Sequence, residues 1–178
     1  MAENFPSTRD MPSRLGKAML IAAWVVGLAL LVLLFQNHLD HQRNPNPDPA
    51  LRVDADGVPS VVLQRNRMGH YVAGGRINGE SVTFLVDTGA TAVALPVALA
   101  ERLELPLLPG GMSKTANGLV RTWTTRLDSV DVAGLTARNV RAVVMPNMPG
   151  DEVLLGMNYL KRFELIQRGD TLTLRAPG

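Results

Sequence analysis

The chain has 178 residues, of which 46% are apolar and 19% charged, so it is long enough for one folded domain with an appendage. Its net charge of +2 and its 4% aromatic content argue against a nucleic-acid-binding protein, which needs a concentrated basic face or stacking platforms. The sequence contains no cysteine, which excludes thiol catalysis, cysteine-ligated zinc, iron–sulfur clusters and disulfide bonds.

The first predicted element is an apolar helix at residues 18–35, which contain no charged side chain. A helix of that length spans about 27 Å, close to the thickness of the hydrocarbon core of a bilayer. Arg9, Arg14 and Lys17 precede it, and basic flanks stay on the cytoplasmic side. We therefore expect residues 1–17 to be a cytoplasmic tail and residues 18–35 to be a transmembrane signal anchor.

Two other interpretations of the apolar run remain. A cleaved signal peptide usually has a shorter run followed by a small-x-small cleavage site, and residues 35–39 contain no such site. A buried helix of a soluble protein would show a polar face, which residues 18–35 lack. The sequence therefore favours an anchor that is retained.

Residues 36–59 are polar and are predicted to be a linker. Pro45, Pro47, Pro49 and Pro59 disfavour a helix, and closely spaced prolines favour an extended polyproline conformation of about 3.1 Å per residue. We expect this linker to hold the following domain, residues 60–178, at some distance from the membrane.

Residues 60–178 carry the pattern of a mostly β domain. Asn-Gly between two apolar runs is a strong hairpin signal, because both residues tolerate a positive φ. The predicted hairpins join Tyr71–Ile77 to Ser81–Val86 through Asn78-Gly79, and Ser113–Ala116 to Leu119–Leu127 through Asn117-Gly118. Further strands are predicted at Asn139–Met145, Phe163–Gln167 and Thr171–Leu174, and short helices at Pro96–Leu103 and Met157–Arg162.

One segment carries a candidate catalytic group. Residues 84–91 read Phe-Leu-Val-Asp-Thr-Gly-Ala-Thr, an apolar strand that ends at Asp87. Burying a carboxylate is costly unless its oxygens accept hydrogen bonds, and Gly89 allows a tight turn whose N–H groups reach them. Thr88 is expected to bond back into the scaffold and fix the loop. The simpler interpretation is an Asp-containing turn after a strand, because Asp-Thr-Gly alone is common.

The surrounding motifs resemble those of the retropepsin-like aspartic proteases. Leu85 to Ala90 matches the family's apolar-apolar-Asp-Thr-Gly-Ala signature, and Leu154-Leu155-Gly156 matches its later apolar-apolar-Gly mark before a helix. The hairpin at Thr115-Ala116-Asn117-Gly118 stands where the family places the flap over its cleft. The resemblance is greatest to small membrane-anchored bacterial members. It implies a single-lobe β-barrel with one or two short helices over residues 60–178.

The resemblance also implies an activity. Two aspartates hydrolyse a peptide bond, one activating a water as general base and the other donating a proton to the carbonyl oxygen. This chain has one Asp-Thr-Gly, so the resemblance implies a homodimer in which each protomer contributes Asp87. Thr88, Gly89 and Ala90 would support the active-site loop, and residues 115–118 would bind substrate.

The expected partners are a peptide or protein substrate, a second copy of the chain and the bacterial inner membrane, with the catalytic domain on the periplasmic side. Neither a metal nor another cofactor is expected, and no nucleic acid. The alternative is a catalytically silent module that binds peptides with the same fold. Viral members carry an ion pair at positions that are Thr91 and Met157 here, so their dimer contacts do not transfer.

Other candidate groups are weaker. His38 and His41 are spaced for a shared metal ion, but no carboxylate cluster supports them, and a polar flank of the membrane helix is the simpler interpretation. His70 alone does not make a Ser–His–Asp triad. Arg168-Gly169-Asp170 is interpreted as a hairpin turn.

Overall fold

A computed structural model describes residues 11–54, 56–115, 118–148 and 150–178. The chain divides after Asp40 into an N-terminal unit and a second unit, His41–Gly178. In chain order the elements are α1 (Met11–Arg43), β1 (Leu51–Val53), β2 (Pro59–Gln64), β3 (Val72–Ile77), β4 (Glu80–Val86), β5 (Val93–Pro96), α2 (Val97–Arg102), β6 (Leu108–Thr115), β7 (Gly118–Val132), β8 (Leu135–Met145), β9 (Glu152–Leu155), α3 (Met157–Leu160), β10 (Glu164–Arg168) and β11 (Thr171–Arg175). The mostly β fold predicted from the sequence is confirmed.

Helix α1 is longer than the apolar run inside it. The side chains of residues 18–35 are exposed, and among the described residues α1 is the one helix long and apolar enough to cross a membrane. The helix continues to Arg43 because residues 36–43 contain neither glycine nor proline. It ends there because Pro45 disfavours the helical conformation of the residue before it.

The strands form two sheets. The smaller sheet has the order β1-β2-β11-β10, and the larger has the order β3-β4-β9-β5-β8-β7-β6. Strand β3 also pairs with β7 through Arg76 and Ile77, so the larger sheet curls back on itself. Strand β4 is parallel to β9, whereas β9 is antiparallel to β5. Two short strands, β5 and β9, therefore lie side by side in the middle of the sheet.

The predicted hairpins are confirmed. Asn78 and Gly79 have φ values of 52° and 90°, the positive values that a two-residue turn between β3 and β4 requires. Strands β6 and β7 form the second hairpin, but its register differs from the prediction: Thr115 pairs with Gly118, so Gly118 belongs to β7 and not to the turn. Its tip, Ala116 and Asn117, lies outside the described residues.

The two short helices pack on the barrel. Leu99 of α2 is buried and Leu103 packs against the core, as their spacing on one helical face predicts. Pro96 stands one residue before α2, at its N-cap, rather than inside its first turn. Tyr159 of α3 is buried and donates a hydrogen bond to the carbonyl of Leu135 at 2.6 Å. Burial raises the pKa of Tyr159 above its ordinary value.

The structure of residues 36–59 differs from the free linker that the sequence predicts. Its first residues, 36–43, belong to α1, and its last residue, Pro59, begins β2. Between them Asn46 is buried and forms a bridge to Ala73 of β3. Residues 44–49 are therefore part of the folded unit and not a free extended spacer.

A cluster of ion pairs closes the smaller sheet. The guanidinium group of Arg175 lies 2.6 Å from Asp54, 3.2 Å from Asp56 and 3.3 Å from Glu164, measured between nitrogen and oxygen. The hydrogen bond from Arg175 is the main cause that lowers the pKa of Asp54, and the N–H of Val58 adds to it. The cluster joins the segment after β1 to the last strand of the chain.

This cluster predicts a pH dependence of stability. Because the pKa of Asp54 is lower in the folded state, its stabilising effect is complete above the ordinary aspartate pKa and is lost as the pH falls through the folded-state value. We expect the wild type to unfold at a higher urea concentration than Asp54→Asn at neutral pH, with the difference disappearing in acid. Asp128→Asn, an exposed change on β7, is the matched control. A difference that stays constant with pH would contradict this prediction.

Candidate active site

The candidate catalytic residue stands at a strand-to-loop corner. Strand β4 buries Val82 and Phe84 and ends at Val86, so that Asp87 is the first residue of the loop and is half-buried. The N–H of Asp87 donates to the carbonyl of Leu155 at 3.3 Å, which fastens this corner to the end of β9. Asp87 thus lies at the position in the fold that the sequence predicts.

The loop supplies backbone donors to this residue. The N–H of Gly89 donates to the carboxylate Oδ1 of Asp87 at 2.8 Å, and the N–H of Ala90 donates to its carbonyl oxygen at 3.2 Å. This is the turn that the Asp-Thr-Gly sequence predicts. Thr88 behaves differently: it is exposed, and its hydroxyl group has no hydrogen bond to any residue described here.

Gly156 makes room for the active-site loop. It follows β9, where Leu154 and Leu155 pair with β4, and it caps the start of α3. A Cβ atom at Gly156 would lie 2.3 Å from the carbonyl oxygen of Ala92 and 2.8 Å from that of Ala90. Since both contacts are with backbone atoms, only glycine fits. The apolar-apolar-Gly sequence therefore ends in glycine because the loop after Asp87 passes directly over that position.

Main-chain hydrogen bonds join the active-site loop to the start of α3. The N–H of Met157 donates to the carbonyl of Ala90 at 2.8 Å, and the N–H of Asn158 donates to the carbonyl of Thr91 at 3.1 Å. The start of α3 thereby holds the loop without a charged pair. The sequence departs from the viral pattern at Thr91 and Met157, yet the loop and the helix remain joined.

Asn158 is a positioning residue that the sequence analysis did not identify. Its Oδ1 accepts the N–H of Val93 at 3.0 Å, and its Nδ2 donates to the carbonyl of Arg141 at 2.6 Å. It therefore joins α3, the end of the active-site loop and β8. In the sequence, the available signal is an asparagine in the first turn of a short helix after Gly156. An asparagine that only faces solvent would give the same sequence pattern.

We expect Asn158→Ala to lower the free energy of unfolding by about 2 kcal/mol, because it leaves the N–H of Val93 and the carbonyl of Arg141 without their partner. Asn158→Asp keeps the acceptor for Val93 and should cost less at neutral pH. Urea denaturation of both variants measures these differences. An Asn158→Ala variant as stable as the wild type would show that water satisfies both groups.

A cleft opens beside the Asp87 corner, with a volume of about 500 Å³. Its lining is mostly apolar and comes from the loop, from β5, β8 and β9, and from β6 of the hairpin. The lining residues are Asp87, Gly89, Ala90, Thr91, Ala92, Ala94, Ser113, Val143, Met145 and Leu154. Asp87 is the only carboxylate among these described residues. Ser113 brings the hairpin to the cleft, and the backbone pairing of Thr115 with Gly118 continues that hairpin toward its tip.

The other candidates from the sequence lie elsewhere. Asp128 is exposed on β7, and Asp170 lies in the turn between β10 and β11, 3.5 Å from Arg65. Residues 168–170 form this hairpin turn, as predicted. His70 is exposed just before β3, whereas His38 and His41 lie in the last turns of α1. None of these residues lines the cleft.

Comparison with known proteins identifies the family. The family described as "gag-polyprotein putative aspartyl protease" matches residues 73–162. The crystal structure of a retropepsin-like aspartic protease from Rickettsia conorii superposes with a TM-score of 0.60 at 28% sequence identity, covering 72% of this chain and 96% of that one. The chain therefore belongs to the retropepsin-like aspartic protease family, and its fold is the retropepsin-like fold.

Two curated relatives match part of the chain. An uncharacterised protein of Sinorhizobium sp., from the cobV 5′ region, is 34% identical over 128 residues, which are 68% of this chain and 54% of that protein. An uncharacterised protein of Rickettsia prowazekii is 32% identical over 111 residues, which are 60% of this chain and 47% of that protein. The chain thus spans about half the length of each curated relative.

Proposed function

We propose that this protein is a membrane-anchored aspartic endopeptidase that is active as a homodimer and hydrolyses peptide bonds with a water held between two Asp87 side chains. The observation that carries the proposal is the Asp87 corner: a half-buried carboxylate with a backbone donor at 2.8 Å facing a largely apolar cleft. Membership of an aspartic protease family supports this assignment of the cleft.

The lining of the cleft supports the proposal of a second protomer. Hydrolysis requires a base that takes a proton from the water and an acid that protonates the substrate carbonyl oxygen. Asp87 is the one carboxylate that the described residues place there. A second Asp87, related by a two-fold axis, supplies the missing group. Thr88 is exposed at the same corner, where its hydroxyl group is available to a partner protomer.

The remaining residues take roles around this pair. The N–H of Gly89 holds the carboxylate of Asp87, and the N–H of Ala90 holds its main-chain carbonyl and so fixes the turn, as the loop geometry supports. The hairpin residues Thr115, Ala116, Asn117 and Gly118 bind an extended substrate as an added strand. The water adds to the carbonyl carbon, one carboxylate receives its proton, and the C–N bond breaks as the amine leaves protonated.

The anchor and the orientation belong to the same proposal. Residues 18–35 cross the bacterial inner membrane once, residues 1–17 remain cytoplasmic and the protease domain, residues 60–178, is periplasmic. The length and composition of α1 support a membrane span. The basic residues before it support the orientation.

The test is a digestion experiment with the full chain in detergent and an unfolded protein mixture as substrate. New peptide ends found by mass spectrometry should appear at a rate per protomer that rises with protein concentration until the dimer is saturated. The rate should follow a bell-shaped pH profile, because the base must be ionised and the acid protonated. Binding of the peptides without any new ends would instead establish a silent peptide-binding module.

A further inference from the structure

The segment that follows α1 is built into the protease domain. We call residues 43–49 the bracket. Its central residue, Asn46, is 7% exposed. The Nδ2 of Asn46 donates to the carbonyls of Gln64 at 2.9 Å and Val72 at 2.7 Å. Its Oδ1 accepts the N–H of Gln64 at 2.7 Å. The carbonyl of Asn46 accepts the N–H of Gly74 at 2.8 Å. One buried side chain thus joins the bracket to β2 and to β3.

A second asparagine holds the first residue of the bracket. Asn66 is 7% exposed, and its Nδ2 donates to the carbonyl of Arg43 at 2.9 Å. Its Oδ1 accepts the N–H groups of Met68 and His70, which fixes the turn before β3. Arg67 in the same turn donates to the side chain of Gln42 at 3.0 Å. The last residues of α1 are therefore tied to the domain at more than one point.

The residues at the contact between the bracket and β3 are suited to it. A Cβ atom at Gly74 would lie under 2 Å from the carbonyl oxygen of Pro47, so glycine is required where the bracket crosses β3. Pro45 and Pro47 restrict the chain on both sides of Asn46, which reduces the entropy lost when the bracket docks. Gly74 and the alternating prolines therefore have one common explanation, the docking of the bracket on β3.

The bracket reduces the length of free chain between the apolar run and the domain. A free linker over residues 36–59 would extend about 75 Å in a polyproline conformation. With the bracket in place, only residues 36–41 separate the apolar run from the first residues tied to the domain. Even fully extended, such a segment spans only about 20 Å. The length of this segment therefore sets an upper limit on the distance between the end of the apolar run and the first residues of the domain.

We infer that the bracket holds the candidate active site at a limited height above the bilayer, and that its substrates are membrane-proximal segments of polypeptides anchored in the same membrane. The inference rests on the proposed function, because it requires both the anchor and the active cleft. Confinement to one bilayer raises the effective concentration of enzyme and substrate. The bracket then determines which bonds reach the cleft.

The test uses the full chain reconstituted in vesicles with two single-pass substrates that carry the same cleavable sequence. In one, that sequence directly follows the membrane segment; in the other, a semi-rigid helical spacer lifts it by about 60 Å. We expect the wild type to cleave the low site at least about 10-fold faster than the lifted site. A flexible Gly/Ser insertion between Asp40 and His41, which leaves the bracket intact, should bring the two rates within about twofold.

The same insertion between Lys17 and Ala18, before the apolar run, is the matched control and should behave as the wild type. Because the sequence has no cysteine, Met68→Cys provides a single site for a fluorescent donor on an exposed residue of the turn before β3. Energy transfer to a lipid acceptor should fall with the insertion after Asp40 and stay unchanged with the control insertion.

Equal cleavage of both substrates by the wild type, or energy transfer that the insertion does not change, would overturn the inference. No cleavage by any of the proteins, with the expected energy transfer, would overturn the proposed function and the substrate class while supporting the bracket.

Discussion

Replacing Asp87 with asparagine is expected to lower the rate of peptide-bond cleavage by at least about a thousandfold. The asparagine side chain has nearly the same size, and its carbonyl oxygen still accepts the N–H of Gly89. It neither takes a proton from water nor supplies one to the substrate. In a homodimer both groups are lost at once, so the full loss is expected from one substitution.

The control for this change is Asp128→Asn, which removes an exposed carboxylate on β7 away from the cleft. Its cleavage rate should stay within about twofold of the wild type. Both variants should unfold at nearly the same temperature as the wild type. An Asp87→Asn protein that is folded and still active would show that a different group performs the hydrolysis.

The second large effect is expected from Gly156→Ala. The added Cβ atom would lie 2.3 Å from the carbonyl oxygen and 2.5 Å from the carbonyl carbon of Ala92. Backbone atoms on the neighbouring loop cannot rotate away as a side chain does, so the loop or α3 must move. We expect a loss of about 3 kcal/mol or more in the free energy of unfolding.

Gly111→Ala is the matched control, because a Cβ atom at Gly111 of β6 would have no neighbour within 4 Å. Its stability should differ from the wild type by at most about 0.5 kcal/mol. Urea denaturation of the two variants, followed by circular dichroism, measures both values. If Gly156→Ala unfolded with the wild-type midpoint, the loop would have to be more adaptable than this structure indicates.

Local chemistry explains what the sequence predicts correctly. Asn78-Gly79 determines a hairpin by itself, because both residues adopt a positive φ without a large cost. Leu99 and Leu103 are four residues apart, which is a helical spacing, so the sequence predicts α2 without any knowledge of its contacts. The Asp87 corner follows from an apolar strand that ends in a carboxylate and a glycine.

The elements missed by the sequence analysis depend on distant neighbours. Strands β5 and β9 are four residues long, and each becomes a strand because the other elements of the sheet pair with it. Asn46 and Asn158 resemble ordinary polar residues until the backbone groups that they bind are known. The proline segment was predicted as a spacer because a docked bracket and a free polyproline chain have the same composition.

The sequence predicts only those residues of the candidate site that a single chain contributes. The sequence and the fold both place Asp87 at its corner, but the described lining of the cleft contains one carboxylate where the chemistry needs two. Thr88, which is expected to support the active-site loop, is an exposed residue at the same corner. The homodimer proposed above would account for both observations.

The most direct test of this account is a mixing experiment with wild-type and Asp87→Asn protomers. The two proteins are combined at a fixed total concentration, exchanged to equilibrium in detergent, and assayed for peptide cleavage. If each active site needs two Asp87 side chains, activity follows the square of the wild-type fraction, so an equal mixture retains about one quarter of the wild-type rate. Activity that falls in direct proportion to the wild-type fraction, with about one half retained, would contradict a shared active site.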